Sequence, residues 1–265
     1  MTDCSEIILS FTRIYHSMQA RFYQPINTTI GQLIELSDEN KHHITRVLRL
    51  RKGDSITLFN GKGGEFSARI ESITNSQVTA LIDSFHDEDC ESPLTIELAQ
   101  ALCANEKMDW IIQKAVELGV NRIQPIVTER CVIQLSSERA NKRLEHWKKI
   151  IISACEQSGR NYLPDIFPLV SLPSWLSQKK SENNLQEMRL MLSPTANEHL
   201  KKITRPANND SITLIIGPEG GFSPAEELSI AHCGYTAIRL GNRILRTETA
   251  GLAAIASLQT LWGDY

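Results

Sequence analysis

The sequence predicts an α/β protein whose larger domain holds a mostly parallel sheet and is preceded by a small β-barrel. Three observations carry that reading. From Arg21 to about Asp83, short runs rich in Ile, Leu, Val, Thr and Phe alternate with turn clusters such as Asn60-Gly61-Lys62-Gly63-Gly64, the spacing of a small closed sheet. From Leu94 onward, apolar strand-like runs alternate with stretches of helical periodicity, which implies parallel strands covered by helices on both faces. Between the two lies an acid-rich stretch, Asp83-Ser84-Phe85-His86-Asp87-Glu88-Asp89-Cys90-Glu91-Ser92-Pro93, which holds no Lys or Arg, closes on proline and reads as a linker.

In chain order, residues 1–17 hold the apolar run Ile7-Ile8-Leu9, too short and without the preceding basic segment of a signal peptide. They are expected to be a poorly ordered upstream extension, with Met18 a candidate start. The barrel domain is expected over 18–83, with strands at 30–36, 55–59, 65–73 and 77–82. Within it, 37–50 reads as one helix capped by Ser37, with Ile44, Val47 and Leu48 on its inner face. Lys41, Arg46, Arg49, Arg51 and Lys52 then lie mostly outward, with no acid among them after Glu39, an arrangement that suits a phosphate backbone and also an ordinary solvated face. After the linker at 84–93, the second domain runs over 94–265. Its strands are expected at 94–102, 122–127, 190–192, 212–216 and 237–240, and its helices at 106–118, 138–157 and 247–261. Met108, Ile111, Ile112, Ala115 and Leu118 share one face of the first of these helices.

Composition removes several function classes. No apolar run approaches the ~18 residues that a membrane span needs. The net charge of −3 makes the chain no general polyanion binder, so any nucleic-acid contact must come from a local patch. The six cysteines include no Cys-x-x-Cys pair, which argues against a zinc site or a disulfide framework and suits a reducing cytoplasm. His42 and His43 have no third ligand in view, so no metal is expected.

Two loops near the C-terminus carry the chemistry. The first is Ile216-Gly217-Pro218-Glu219-Gly220-Gly221, which follows an apolar run and leads into a helix start signalled by Ser223, Pro224 and Glu226. Its glycines let the backbone turn sharply and bring N–H groups close to a ligand, and the helix N-terminus behind them offers a seat for an anion. No Lys-Ser/Thr follows, so it is no P-loop, and Gly-x-Gly-x-x-Gly is absent. The second loop, Leu240-Gly241-Asn242-Arg243-Ile244-Leu245-Arg246-Thr247-Glu248, ends the next strand. Ligands of open α/β sheets bind at such strand ends.

The run IGPEGGFSPAEE followed by LGNRILRTETAG resembles the two signature loops of the RsmE family, 16S ribosomal RNA uridine-N3 methyltransferases of the SPOUT superfamily. The likeness extends to HHITRVLRLRKGD from His42, EKMDWIIQKAVELGV from Glu106 and ACEQSGRNYLPDI from Ala154. It implies a PUA-like RNA-binding barrel, then a SPOUT domain with a C-terminal trefoil knot whose loops bind S-adenosylmethionine, in a cytoplasmic homodimer acting on 16S ribosomal RNA of the small subunit.

On that basis Ile216, Gly217, Pro218, Glu219, Gly220 and Gly221 are expected to hold the polar end of the cofactor. Leu240 and Leu245 are expected to pack on its adenine, Gly241, Ile244 and Thr247 are also assigned to the cofactor, and Leu192 and Ser193 to a third wall. Arg246 is expected to stabilise negative charge on the uracil ring, with Glu248 orienting it or accepting a proton. Lys41, His43, Arg46, Arg49, Arg51 and Arg160 are assigned to RNA, and Arg122 and Arg130 are weaker candidates. A ribose 2′-O-methyltransferase, a non-catalytic RNA-binding or ribosome-assembly factor and a phosphate-binding nucleotide enzyme remain as alternatives.

Overall fold

The computed structural model describes residues 20–133, 135–181, 187–205 and 211–265, so the expected extension at 1–17 lies outside the described residues. The chain divides into two compact units. One holds the described residues up to Cys90 together with Cys155–Leu163, and the other holds Glu91–Ala154 and Pro164–Tyr265.

The first unit is a five-stranded sheet in the order β1 (Ala20–Tyr23), β3 (Ser55–Phe59), β4 (Glu65–Ile73), β5 (Val78–His86) and β2 (Leu33–Glu35), antiparallel except where β1 pairs with β3. Alternate residues of these strands, among them Phe22, Ile34, Ile56, Leu58, Ile70 and Ile82, form its core with Ile44. The buried Gln24 joins the two edge strands. Its amide donates to the Glu35 carbonyl at 3.3 Å, and its Oε1 accepts from the Ser37 N–H at 3.2 Å and the Asn40 amide at 2.9 Å. Side-chain hydrogen bonds thus draw together the edges that a barrel brings close.

Three expectations shift here. Strand β5 runs on to His86, so the acidic stretch begins inside the sheet. Ile82 is buried in the core while its neighbour Asp83 points out to Arg69 at 2.7 Å, and a strand face turned to solvent accepts acids as readily as a linker does. The expected single helix at 37–50 is a short α-helix, α1 (Asp38–His42), capped by Ser37, that widens into a π-helical turn over His43–Leu48. The wider turn breaks the 3.6-residue period. Ile44 is therefore buried while Val47 and Leu48 face solvent, 58% and 43% exposed. Residues 155–163 belong to this unit by their bonds: the buried Asn161 accepts from the Arg21 guanidinium at 2.7 Å and donates to the Glu88 carbonyl at 3.0 Å.

The second unit is a parallel sheet in the order β11 (Glu198–His199), β13 (Thr236–Arg239), β10 (Glu187–Leu192), β12 (Ser211–Ile216), β6 (Thr95–Ala101), β7 (Arg122–Val127) and β8 (Asp165–Ile166), with β9 (Val170–Ser171) also on β7. β6 and β12 are buried along almost their whole length, as central parallel strands covered on both faces are. The helices are α2 (Asn105–Glu117), α3 (Ser137–Ser158, whose residues from Cys155 on fall in the first unit), α4 (Leu172–Ser181), α5 (Pro224–His232) and α6 (Thr247–Trp262). Met108, Ile111, Ile112 and Ala115 are buried as the periodicity predicts. The last turn of α6 is fixed by Gln259, which donates to the Leu118 carbonyl at 2.9 Å and accepts from Ser92 at 2.6 Å. Among the described residues no helix is long and apolar enough to cross a membrane, and no group of three metal-ligating side chains occurs.

Candidate functional site

The carboxyl ends of β10, β12 and β13 open onto one cavity of about 640 Å³. That volume lies within the ~300–1,000 Å³ typical of small-molecule sites. Leu192 and Ser193 leave β10, Ile216 to Gly221 leave β12, and Leu240, Gly241, Ile244, Leu245 and Thr247 follow β13. All of these residues line the cavity, so the three segments assigned to the cofactor meet in one place.

Local chemistry explains each wall. After β12 the chain turns at 218–221, where the Gly221 N–H donates to the Pro218 carbonyl at 2.9 Å and Gly221 takes φ +68°, a region costly for any residue with a Cβ. Helix α5 then starts with a capping box: Glu226 N–H donates to Ser223 Oγ at 3.3 Å, and Ser223 N–H donates to Glu226 Oε2 at 2.9 Å. The capping box alters one expectation, because the anion seat at this helix start is already filled by the Glu226 carboxylate, which also accepts from the Glu129 N–H at 2.7 Å. The third wall is set by the buried Ser193, whose N–H donates to the Ile238 carbonyl at 2.9 Å and whose hydroxyl meets that of Thr195 at 2.9 Å.

The two signature loops are stapled together through Thr247. Its hydroxyl donates to the Gly217 carbonyl at 2.7 Å and accepts from Gln100 Nε2 at 3.1 Å. Arg246 is the N-cap residue of α6, its carbonyl accepting from Thr249 and Ala250, which leaves the side chain free to turn into the cavity. The guanidinium is exposed, and among the described residues no carboxylate pairs with it. Glu248, the expected companion of Arg246, is placed differently. It does not line the cavity, and its Oε2 lies 3.4 Å from Lys107 Nζ, an ion-pair distance. One helical turn explains this: residues two apart on a helix face different ways, so Glu248 turns toward α2 as Arg246 turns toward the cavity.

Lys107, in the first turn of α2, lies 3.0 Å from Glu219 as well as 3.4 Å from Glu248. The Glu219 hydrogen bond raises the Lys107 pKa. Burial pushes the Glu219 carboxyl up, but hydrogen bonds from its own backbone N–H and from Lys107 outweigh burial and hold it below the ordinary carboxylate value. Nearby Cys103 is buried, and its thiol is pushed up to about 12, chiefly by burial with Glu219 adding, so it is protonated at neutral pH and no nucleophile. Arg130 donates to the Gly220 carbonyl at 3.0 Å and lines the cavity with Arg239 and Arg243. Sequence reasoning missed Lys107 and Arg239 as wall residues. The nearest signal for Lys107 was its place in the EKMDW motif.

The residues fit a cofactor with an aromatic base and a zwitterionic end. Ile216, Leu240 and Leu245 give apolar walls, the glycine turn gives bare backbone, and a Cβ built on Gly241 would meet nothing within 4 Å, so the space beside it is open.

On the first unit, Arg46, Arg49 and Arg51 are exposed beside the exposed Val47 and Leu48, with Arg49 in the left-handed region at φ 55°. Lys41 is held by Asp38 at 2.6 Å and by the Ser76 carbonyl at 3.0 Å, and His43 packs edge-on against Phe22 with ring centres 5.6 Å apart. Arg160 departs from expectation: it is only 4% exposed, enclosed beside the buried Asn161, and offers no open face to a phosphate.

Comparison with known proteins follows the same division. Residues 90–259 match the RNA methyltransferase domain family, and residues 36–83 match the RNA methyltransferase PUA domain family. The ribosomal RNA small subunit methyltransferase E of Buchnera aphidicola subsp. Schizaphis graminum is 39% identical over 92% of this chain and 97% of its own. That of Bacillus subtilis is 30% identical over 84% and 88%. Among solved structures, a methyltransferase of Legionella pneumophila in complex with the cofactor SAM superposes with a TM-score of 0.87 at 40% identity, covering 93% of this chain and 99% of that one. The ribosomal RNA small subunit methyltransferase E of Neisseria gonorrhoeae, bound to S-adenosyl methionine, gives 0.85 at 42% identity with the same coverage. With both units matched along nearly their full length and the strand-end cavity in place, the chain belongs to the ribosomal RNA small subunit methyltransferase E family.

Proposed function

We propose that this chain is an S-adenosylmethionine-dependent methyltransferase that modifies N3 of a specific uridine in 16S ribosomal RNA of the small subunit. The observation that carries the reading is the meeting of three strand-end loops around one cavity whose mouth holds the guanidinium of Arg246, with no carboxylate partner among the described residues. The cofactor, when bound, supplies an electrophilic methyl group. Every other demand falls on the protein's own residues. In the turn 217–221, Pro218 has no N–H and those of Glu219 and Gly221 are already bonded, so Gly217 and Gly220 are the positions that would offer backbone N–H groups to the cofactor's polar end, while Leu240 and Leu245 would pack against its adenine and exclude water from that side. The uracil imide must give its N3 proton to solvent before N3 can act as a nucleophile, and until the new bond forms the negative charge is shared with the flanking oxygens. A guanidinium bonded to one of those oxygens stabilises the anion while leaving N3 open to the methyl group, which gives Arg246 its role.

RNA delivery is assigned to the first unit. Arg46, Arg49 and Arg51 lie exposed beside apolar side chains, a mixture that binds phosphates while stacking on bases. Replacing Arg46 and Arg49 by Ala is expected to reduce the salt dependence of RNA binding by about one phosphate contact each, with cofactor affinity unchanged. We further propose that the last helix lies in a C-terminal knot, that the protein acts in the cytoplasm, and that it works as a homodimer through the second unit. Leu228 and Leu261 of that unit are exposed apolar side chains that such a contact could cover. Light scattering on the purified chain tests the dimer.

The deciding experiment is nucleoside mass spectrometry of small-subunit RNA from cells lacking this chain. Loss of 3-methyluridine, restored by the wild-type chain and not by Arg246→Ala, is expected. An unchanged nucleoside profile, or loss of a ribose-methylated nucleoside instead, would overturn the reading.

A further inference from the structure

Lys107 has no part in the expected chemistry, yet it lines the cavity and touches both signature loops. Its ammonium lies 3.0 Å from Glu219 in the glycine turn and 3.4 Å from Glu248 in the first turn of α6. Glu248 stands two residues beyond Arg246, so a single cation connects the start of α2, the cofactor turn and the helix end that aims the guanidinium. The other ties of α6 at this corner are neutral: Thr247 donates to the Gly217 carbonyl, and Gln100 donates to Thr247. Those bonds fix the height of α6 against the turn. Without the ammonium, two carboxylates would face each other across a partly covered gap, and their repulsion would push the turn and the helix apart.

We propose that Lys107 is a positioning residue for methyl transfer, holding the Arg246 turn in register with the glycine turn through a Glu219–Lys107–Glu248 bridge. The proposal rests on the methyltransferase reading given above. It also assigns a place to Glu248: with its Oε2 buried against Lys107 and away from the cavity wall, Glu248 acts through the bridge and takes no proton from the base. Near-attack geometry tolerates little drift, so a bridge that sets the position of Arg246 affects the rate more than it affects binding.

The test uses the full-length wild type, Lys107→Met, Lys107→Arg, Arg246→Ala and the double variant Lys107→Met/Arg246→Ala. Calorimetry gives S-adenosylmethionine affinity, and single-turnover transfer of labelled methyl to small-subunit RNA at saturating donor gives the rate. Lys107→Met is expected to lose about tenfold or more in rate and less than about threefold in affinity, while Lys107→Arg, which keeps both ion pairs, stays within about threefold of wild type. The double variant is expected to be within about threefold of Arg246→Ala alone, because both changes remove one function. If Lys107→Met does not fold, Glu248→Gln severs the bridge from the other end and is expected to show the same coupled loss. A Lys107→Met rate within threefold of an active wild type, or losses that multiply in the double variant, would overturn the role of Lys107 alone. A wild type that binds no donor or transfers no methyl would instead bring down the methyltransferase reading and this proposal with it.

Discussion

The two ends of the parallel sheet treat charge in opposite ways. Toward its amino end, Lys179 lies 2.7 Å from Glu97 and 3.4 Å from Glu187, and Arg189 lies 2.8 Å from Glu187. Thr213 donates to Glu187 as well, Arg189 donates to the Lys179 and Cys233 carbonyls, and every ionic side chain of the set is at most 13% exposed. Two acids and two bases are closed on one another, which ties α4 to three strands. At the carboxyl end, Arg243 and Arg246 are exposed at the cavity, and among the described residues no carboxylate is bonded to either. At the amino end every charge of the set is closed on another; at the carboxyl end Lys107 is paired with Glu219 and Glu248, while Arg243 and Arg246 are left without a carboxylate among the described residues. The difference teaches where to look for function: in the group left without a partner although acids stand near.

The sharpest way to break that comparison is to unpair the closed end. Lys179→Met leaves Glu97 buried without its cation, and loss of about 3–5 kcal/mol of stability is expected by denaturant titration, as for other broken buried pairs. The same network has a pH signature. Burial pushes the Glu187 carboxyl up, but hydrogen bonds from Thr213 and Arg189 and the charge of Lys179 outweigh it and hold the native pKa below the ordinary value of 4.5. A lowered native pKa adds stability that is complete above the unfolded value and disappears as pH falls through the native one. Unfolding free energy is therefore expected to decline on acidification below about pH 4.5, with a shallower slope in Glu187→Gln. An identical slope in the variant would remove Glu187 from the account.

At the open end the cost falls on rate. Arg246→Ala is expected to slow single-turnover methyl transfer by about 10²-fold or more while S-adenosylmethionine affinity and unfolding free energy stay nearly constant, the mark of a group used only as charge develops. Turnover within a few-fold of wild type would show that the exposed guanidinium serves no chemistry.

Much of this site was legible because its signals are local. Glycines after an apolar run, then Ser223, Pro224 and Glu226, specify a strand, a turn and a capped helix within a dozen or so residues, and α5 begins where they place it. What was not legible depends on distance or on a changed period. Lys107 meets Glu219 across 112 residues, and Asn161 meets Arg21 across 140, so neither pairing leaves a trace in local pattern. Val47 and Leu48 were placed inward by an α-helical period that the π-turn at His43–Leu48 abolishes. Helix α4 escaped notice because Pro173, its serines and its two lysines resemble a loop; Lys179 is buried there only because Glu97 and Glu187 stand opposite. The same blindness assigned Arg160 to RNA, since a basic residue after a helix end looks exposed until its surroundings are known.

The finest test separates scaffold from ligand space within the cavity itself, using two glycines that a sequence cannot tell apart. Gly221 holds φ +68° with nothing within 4 Å of a built Cβ, so Gly221→Ala meets no clash and suffers only the backbone strain. A loss of about 1 kcal/mol in unfolding free energy is expected. Gly241 has no positive φ and the same open surroundings, so Gly241→Ala leaves the fold unstrained. If the space beside Gly241 belongs to the cofactor, its new methyl group must compete for that space, and S-adenosylmethionine affinity should fall about tenfold with melting temperature unchanged. Equal donor affinity in Gly241→Ala and wild type, measured by calorimetry, would move the cofactor off the β13 wall, because an added carbon cannot enter an occupied volume without cost.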